Sequence, residues 1–375
     1  MTAGPADGHR VHGTVAPGFS AVADAFATVL AGSHAGVAFS VVRGGEPLVE
    51  LHGGLADPAT GRPWAANTVA VLFSGTKGLT AAGCAAVADR LDPDAPVSRY
   101  WPEFAGGGKE HVTVGQVLSH TVGLPYTDPE PSPAQRLDDR ACAAVLARQE
   151  PIWEPGTRVA YHPTTYGAMA AELLARVTGR DPRAVVRDTV AQVPGARVFL
   201  GEDPPAPARI VRDPDYRIST FLTDPHRRRL VERMYRMLLE EPDLPDSPAY
   251  HRSGALSGAG LAGAPAMARF YAALCVPGTS PVPAAALAQA TRTWSEGTDA
   301  INDRPLRFGL GFELADPIGT YGPERVAFGH SGAGGGRHGA WPDRELGFSF
   351  LTNEMRAEDV DDRASELLAA LHTCL

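Results

Sequence analysis

"VLFSGTKGLTAAG", Val71 to Gly83, holds Lys77, one of only two lysines in the chain. The other is Lys109, and the rest of the 34 basic residues are arginine. A lysine one helical turn after Ser74 therefore asks for a chemical reason. If Ser74 opens a helix, Lys77 at i+3 lies on the same face. A serine hydroxyl is a weak nucleophile and needs a base. Lysine can serve when burial or neighbours lower its pKa, whereas arginine stays protonated. The competing reading is a capped helix start with a solvated lysine. S-x-x-K is short, and alone it leaves both readings open. Gly75 and Gly78 favour the first, because glycine is a poor helix former unless something, here a ligand, must approach the backbone closely.

Working outward, "TVAVLFS" is a short apolar approach to Ser74, and the Ala-rich "GLTAAGCAAVADRL" reads as a helix. Upstream, "SAVADAFATVLAG" has apolar residues at helical spacing, and "GVAFSVVRGGEPLVELHGGLAD" reads as two strands turning at Gly44-Gly45. The middle third is helix and loop. "TVGQVLSHTVGLP" predicts a helix ending near Gly123, "CAAVLARQEPIWEPGT" one broken at Pro151, and "TTYGAMAAELLARVTGR" one closed by Gly179. The Gly/Ala-rich "SGALSGAGLAGAPAMARFYAALC" leads into another helix. Strands return in "RFGLGFEL", "ERVAFGHSG", "GGRHGAWPD" and "LGFSFLTNE", and a helix over Asp361 to His372 closes the chain. Strands at both ends and helices between predict an α+β fold. Its antiparallel sheet is drawn from 1–80 and 258–375 and carries flanking helices. A helical domain over 81–257 is inserted, with the active site between the two.

Composition narrows the function. The chain has 375 residues, 44% hydrophobic and 21% charged, with a net charge of −9 and no basic stripe, which argues against nucleic acid. The run Arg227, Arg228, Arg229 reads as a solvated helix start. Glycine and proline are spread without a period, so repeat architectures fail. "MTAGPADGHRVHG" has no apolar leader segment, and no run of about 18 apolar residues exists for a membrane span. Cys84, Cys142, Cys275 and Cys374 are scattered, and the histidines make no zinc motif. The expectation is a cytoplasmic protein with structural thiols, no metal and no cofactor.

Two further stretches carry chemistry. "WEPGTRVAYHPTTYG" supplies Tyr161 on a loop before a helix. A tyrosine near a lysine ammonium can have its pKa lowered and act as a base, or it can simply pack at a domain interface. "FGHSGAGGGRHGAWPD" places His330, Ser331 and Gly332 on a strand followed by glycines, where small residues let an acyl oxygen reach backbone N–H groups. His330 is there either as a donor or as an edge-strand histidine. "GHSGA" is a near miss to the G-x-S-x-G nucleophile elbow, but no helix follows it.

The order is S-x-x-K on an early helix, a tyrosine after "EPGT", then H-S-G near the end. It resembles the serine β-lactamase and penicillin-binding-protein superfamily, in its class C-like branch of family VIII carboxylesterases and related acyltransferases. "LFSGTKGLTA", "PVSRYWPEF", "VGQVLSHTVGLP", "WEPGTRVAYHPTTYG", "ARFYAAL" and "FGHSGAGGG" carry the likeness over about Gly18 to Glu354. The resemblance implies Ser74 as the acylated nucleophile, with Lys77 and Tyr161 sharing the proton transfers. It implies an oxyanion hole from the N–H groups of Ser74 and Ala333. It sets His330-Ser331-Gly332 in place of a Lys-Thr-Gly motif and His120 as a structural hydrogen-bonding residue. His162, inside the tyrosine motif, is counted with the substrate-binding residues. Two departures matter. Proline stands at 163, where β-lactamases and peptidases of this type carry an asparagine, and the motif's lysine is His330. A mostly neutral imidazole holds a carboxylate less strongly than an ammonium does. Both changes point from penicillins and cell-wall peptides towards small-molecule esters or thioesters. The sequence leaves open whether water or an alcohol or amine acceptor takes the acyl group. It says nothing of oligomeric state.

Overall fold

The computed structural model describes residues 10–214, 216–218, 222–357 and 360–375. The start of the chain, 1–9, which holds most of the stretch read as having no leader segment, lies outside the described residues. The strands β1 (His12–Val15), β2 (Val37–Arg43), β3 (Glu46–Gly53), β4 (Ser295–Thr298), β5 (Pro305–Phe308), β6 (Glu313–Leu314), β7 (Phe328–Ser331), β8 (Arg337–Trp341) and β9 (Leu346–Thr352) form one sheet. Its order is β1-β3-β2-β9-β8-β7-β6-β5-β4, antiparallel throughout. The two ends of the chain meet where β2 pairs with β9, from Val37 opposite Thr352 to Arg43 opposite Leu346. The fold is α+β, as the strand–helix–strand order predicts.

Twelve helices are described: α1 (Ser20–Ala31), α2 (Gly75–Ala86), α3 (Val114–Leu118), α4 (Asp139–Leu146), α5 (Thr165–Thr178), α6 (Pro182–Ala191), α7 (Pro225–Met234), α8 (Arg236–Glu240), α9 (Pro248–Ser253), α10 (Ala264–Cys275), α11 (Ala284–Thr291) and α12 (Arg363–Thr373). Both faces of the sheet are covered. Val37, Phe39 and Val41 of β2 pack with Phe348 and Phe350 of β9 against α1 and α12. Burying each of the phenylalanines is worth about 2–3 kcal/mol. The alternate residue Val42 meets Ala268 and Ala272 of α10. Gly347 lets α10 lie directly on the sheet, because a Cβ there would sit 2.1 Å from the Ala272 nitrogen and 2.3 Å from the Ala268 carbonyl oxygen.

α2 is the exception among the helices, because residues 75–85 are all buried. A helix with no solvent-facing side belongs inside a protein, and its glycine and alanine content keeps it thin. Gly75 leaves room for the His338 ring, Gly78 for the Tyr271 hydroxyl and Gly83 for Val186. This corrects the sequence reading of Gly75 and Gly78: their missing side chains admit neighbouring protein side chains, not a ligand. A second correction concerns α3. Thr113 and Gln116 form a capping box, and the helix ends at Leu118, well before Gly123. It closes with Thr121 N–H donating to the Gln116 carbonyl (3.0 Å) and His120 N–H to that of Val117 (3.4 Å). His120 takes the left-handed position, φ +63°, usually given to glycine.

Candidate active site

A short antiparallel pair, Ala70–Val71 with Leu261–Ala262, delivers the chain to α2, and Leu72 N–H donates to the Gly260 carbonyl at 2.9 Å. Phe73 then adopts φ +46°, an uncommon conformation for a bulky residue. Ser74 is the residue before α2, but its side chain makes no capping bond. Its hydroxyl instead accepts from Lys77 Nζ at 3.0 Å. Lys77 is 0% exposed and donates also to the Ser257 carbonyl at 2.7 Å. The solvated-lysine alternative is thereby excluded. Lys109 is equally buried, and its ammonium is held by the carbonyls of Gly106 and Gln149. Desolvation pulls it down to about 8, against the opposing charges of Glu150 and Glu110. Both lysines of the chain are therefore interior groups.

Tyr161 lies in the loop before α5, anchored by its N–H to Asp299 at 3.2 Å. Lys77 Nζ is 5.1 Å from its ring centroid. The ring runs parallel to Phe308 at 6.1 Å and lies 6.0 Å from the His330 ring. His120, 5.2 Å from Tyr161 and 4.3 Å from Phe308, fills the space behind and accepts the His162 N–H on Nδ1 at 3.0 Å.

His330 is fully buried rather than set at the cleft surface. Its Nδ1 lies 2.8 Å from the Ser331 carbonyl, so Nδ1 carries the proton and donates. Burial pushes it down to about 4, against the pull of Glu313, so the ring is neutral at neutral pH. Glu313 receives the Ser331 N–H at 2.9 Å and the Tyr321 hydroxyl. Burial alone would raise its pKa, but the His330 and Arg304 charges and these hydrogen bonds hold it at about 2. His162 is also buried: Leu124 N–H donates to its Nε2 at 3.0 Å, and its Nδ1 donates to the Ala160 carbonyl at 2.6 Å. Both ring nitrogens are thus used by backbone, which leaves none for the substrate contact expected of it.

Gly332 follows β7, and a Cβ there would lie 2.4 Å from the Leu72 carbonyl. This close approach brings Ala333 beside the Ser74 segment. Ser74 and Ala333 both line a cleft of about 480 Å³. Among the described residues no acceptor takes the N–H of either one. Pro163 lines the same cleft. The cleft arginines are matched by their own acids: Arg136 by Glu130 (3.1 Å) and Glu241 (2.8 Å), Arg233 by Asp128 (3.1 Å), and Arg236 by Glu130 and Glu240.

The structure therefore sets Ser74 and Ala333 on the wall of one opening, with Lys77, Tyr161, Gly332 and His330 buried behind them. Sequence reasoning missed the Ser257 carbonyl that grips Lys77, which has no side-chain signature. It missed Glu313 too, although a carboxylate within the apolar "RFGLGFEL" was a readable signal.

Known proteins share this arrangement of chain. The sequence matches the Beta-lactamase family over residues 22–372. It is 33% identical to "Esterase/beta-lactamase LipL" of Mycobacterium tuberculosis, over 92% of this chain and 83% of that one. A penicillin-binding-protein homologue from Caulobacter crescentus superposes with a TM-score of 0.87 at 32% identity, covering 98% of this chain and all of the other. A crystallised family VIII carboxylesterase gives 0.86 at 30% identity, over 98% and 100%. With a buried S-x-x-K helix beneath a nine-stranded antiparallel sheet and a match over nearly its whole length, the chain belongs to the Beta-lactamase family.

Proposed function

We propose that the protein is a serine ester hydrolase that forms an acyl-enzyme on Ser74 with a small-molecule ester or thioester. The observation that carries this reading is the 3.0 Å bond between Lys77 Nζ and the Ser74 hydroxyl, at the wall of an open cleft. Lys77, once neutral, takes the hydroxyl proton while Ser74 Oγ bonds to the substrate carbonyl carbon. The oxyanion that forms accepts from the N–H groups of Ser74 and Ala333. The intermediate collapses, the acyl–oxygen or acyl–sulfur bond breaks, and the leaving group takes a proton from the Lys77–Tyr161 pair. Water then adds to the acyl carbonyl, and Ser74 leaves with its proton restored. His330 acts from below, as a neutral ring beside Tyr161, rather than as a cation for a substrate carboxylate. The names of the 33% identical relative and of the carboxylesterase structure support ester chemistry.

Pro163 and the neutral His330 remove the groups that would hold a β-lactam or peptide. Short-chain p-nitrophenyl esters should therefore be hydrolysed much faster than nitrocefin, with both activities lost in Ser74→Ala. Nitrocefin turnover equal to ester turnover would contradict the assignment. A second reading is transfer of the acyl group to an alcohol or amine. It is favoured by the size of the cleft, since about 480 Å³ exceeds what a short acyl chain fills. Product analysis with added alcohols separates the two.

A further inference from the structure

Asp139 stands at the start of α4 and lines the same cleft as Ser74. One carboxylate oxygen, Oδ2, accepts the Leu256 N–H at 2.9 Å. The next residue, Ser257, gives its carbonyl to Lys77. Asp139 is thus tied to the catalytic lysine through two residues of backbone, a span of at most about 7 Å. Among the described residues its other oxygen has no hydrogen-bond donor, and no arginine, lysine or histidine forms a salt bridge with it. This sets it apart from the other charges of the cleft. Arg136, Arg233 and Arg236 are each neutralised by Asp128, Glu130, Glu240 or Glu241. What remains is one carboxylate without a salt-bridge partner among the described residues, partly exposed on the wall of the opening. Tyr126 lines it as well, with the Arg233 guanidinium 3.9 Å from its ring centre, so the Tyr126 face is already taken and Asp139 is left as the group for an incoming cation.

We propose that Asp139 is a specificity-determining residue that selects substrates carrying an ammonium group, by pairing it with the free carboxylate oxygen. The proposal rests on the assignment of the Ser74 cleft as the substrate site. A charged partner desolvated in such a cleft forms a charge-assisted bond, stronger than a neutral one. Burial raises the Asp139 pKa to about 6, against the Leu256 hydrogen bond and the charges of Arg183 and Lys77, with Asp138 adding to the rise. Above neutrality the carboxylate is ionised and available. The ammonium can sit on the alcohol side or the acyl side of the ester, and matched pairs distinguish these.

The test uses two pairs of isosteres. Dimethylaminoethyl butyrate is set against isoamyl butyrate, and ethyl dimethylaminobutanoate against ethyl isoheptanoate. Binding to the full-length Ser74→Ala protein is measured by calorimetry, so turnover is not required. In one pair the cationic ester should bind at least about tenfold more tightly than its neutral isostere. Asp139→Asn keeps an acceptor for the Leu256 N–H and should erase that ratio, and Asp139→Ser provides a second variant should the first melt early. No preference in either pair, or a preference that survives both substitutions, overturns the proposal. Hydrolysis of all four esters by the unmodified protein is scored separately. Its absence alongside an intact ammonium preference would sink the esterase reading and leave this one standing. Hydrolysis without the preference would do the reverse.

Discussion

Gly78→Ala puts the packing of α2 to a quantitative test. A Cβ at position 78 would lie 2.0 Å from the Tyr271 hydroxyl oxygen, and 3.3 Å from both Tyr271 Cζ and His330 Cβ. Relief requires a shift of somewhat over 1 Å, since carbon–oxygen contacts normally begin near 3.4 Å. α2 is buried on every side, so little can yield. Overpacking of this kind costs about 1–3 kcal/mol, partly offset by the better helix propensity of alanine. With an unfolding entropy of about 2 cal/mol/K per residue, a net loss of about 2 kcal/mol lowers Tm by about 2–3 °C. The effect on rate is larger. α2 carries Lys77 and follows directly on Ser74, and misplacement by about 1 Å costs on the order of a hundredfold. Thermal unfolding and p-nitrophenyl ester hydrolysis read both quantities. Tyr271→Phe removes the clashing oxygen, which has no hydrogen-bond partner among the described residues. Gly78→Ala/Tyr271→Phe should therefore recover most of the stability and rate. A Gly78→Ala protein as stable and active as the original would refute the packing argument, and so would a double variant no better than the single.

Two other perturbations follow from the same geometry. Lys77→Arg keeps a positive charge but offers a group that does not deprotonate, so acylation measured by p-nitrophenol burst should fall at least about a hundredfold. Near-normal bursts would remove Lys77 as the base. Acid should destabilise the fold above the range in which ordinary carboxylates titrate. Burial holds His162 and His330 at about 4 and His338 at about 3, and His120 far below its ordinary 6.5. The unfolded chain then binds more protons as pH drops below 6.5, so stability is full above that value and is lost on the way down. Each histidine contributes a slope of about 1.4 kcal/mol per pH unit, about 5.5 for the four together. A Tm that stays flat between pH 6.5 and 4.5 would contradict their neutral burial.

Much of the fold was legible because its signals are local. The apolar, β-branched run Val37–Arg43, with the Gly44-Gly45 turn, marks the first hairpin, and Gly179 at φ +67° ends α5 as expected. The start of α6 carries its own signal, Asp181 followed by Pro182, with Asp181 accepting the Arg183 N–H. The end of α3 was misplaced because a tertiary effect decides it. His120 accepts a left-handed backbone so that its ring can lie among Tyr161, Tyr166 and Phe308. Sequence named the side chains that converge on the cleft, because Lys77 is rare in this chain and Ser74 is close by. It could not give the backbone groups: the Ser257 carbonyl on Lys77, or the Gly332 contact with Leu72 that seats Ala333. His330 and His162 needed the third dimension as well, since burial depth decides whether a histidine meets a substrate or a carbonyl.

The central claim is that Ser74 becomes acylated. Treating the intact protein with a fluorophosphonate, then digesting it and sequencing by mass spectrometry, tests it directly. The account predicts one adduct per chain, on the peptide holding Ser74, and none in Ser74→Ala. An adduct on another residue, or ester hydrolysis that continues with Ser74 unmodified, would contradict it.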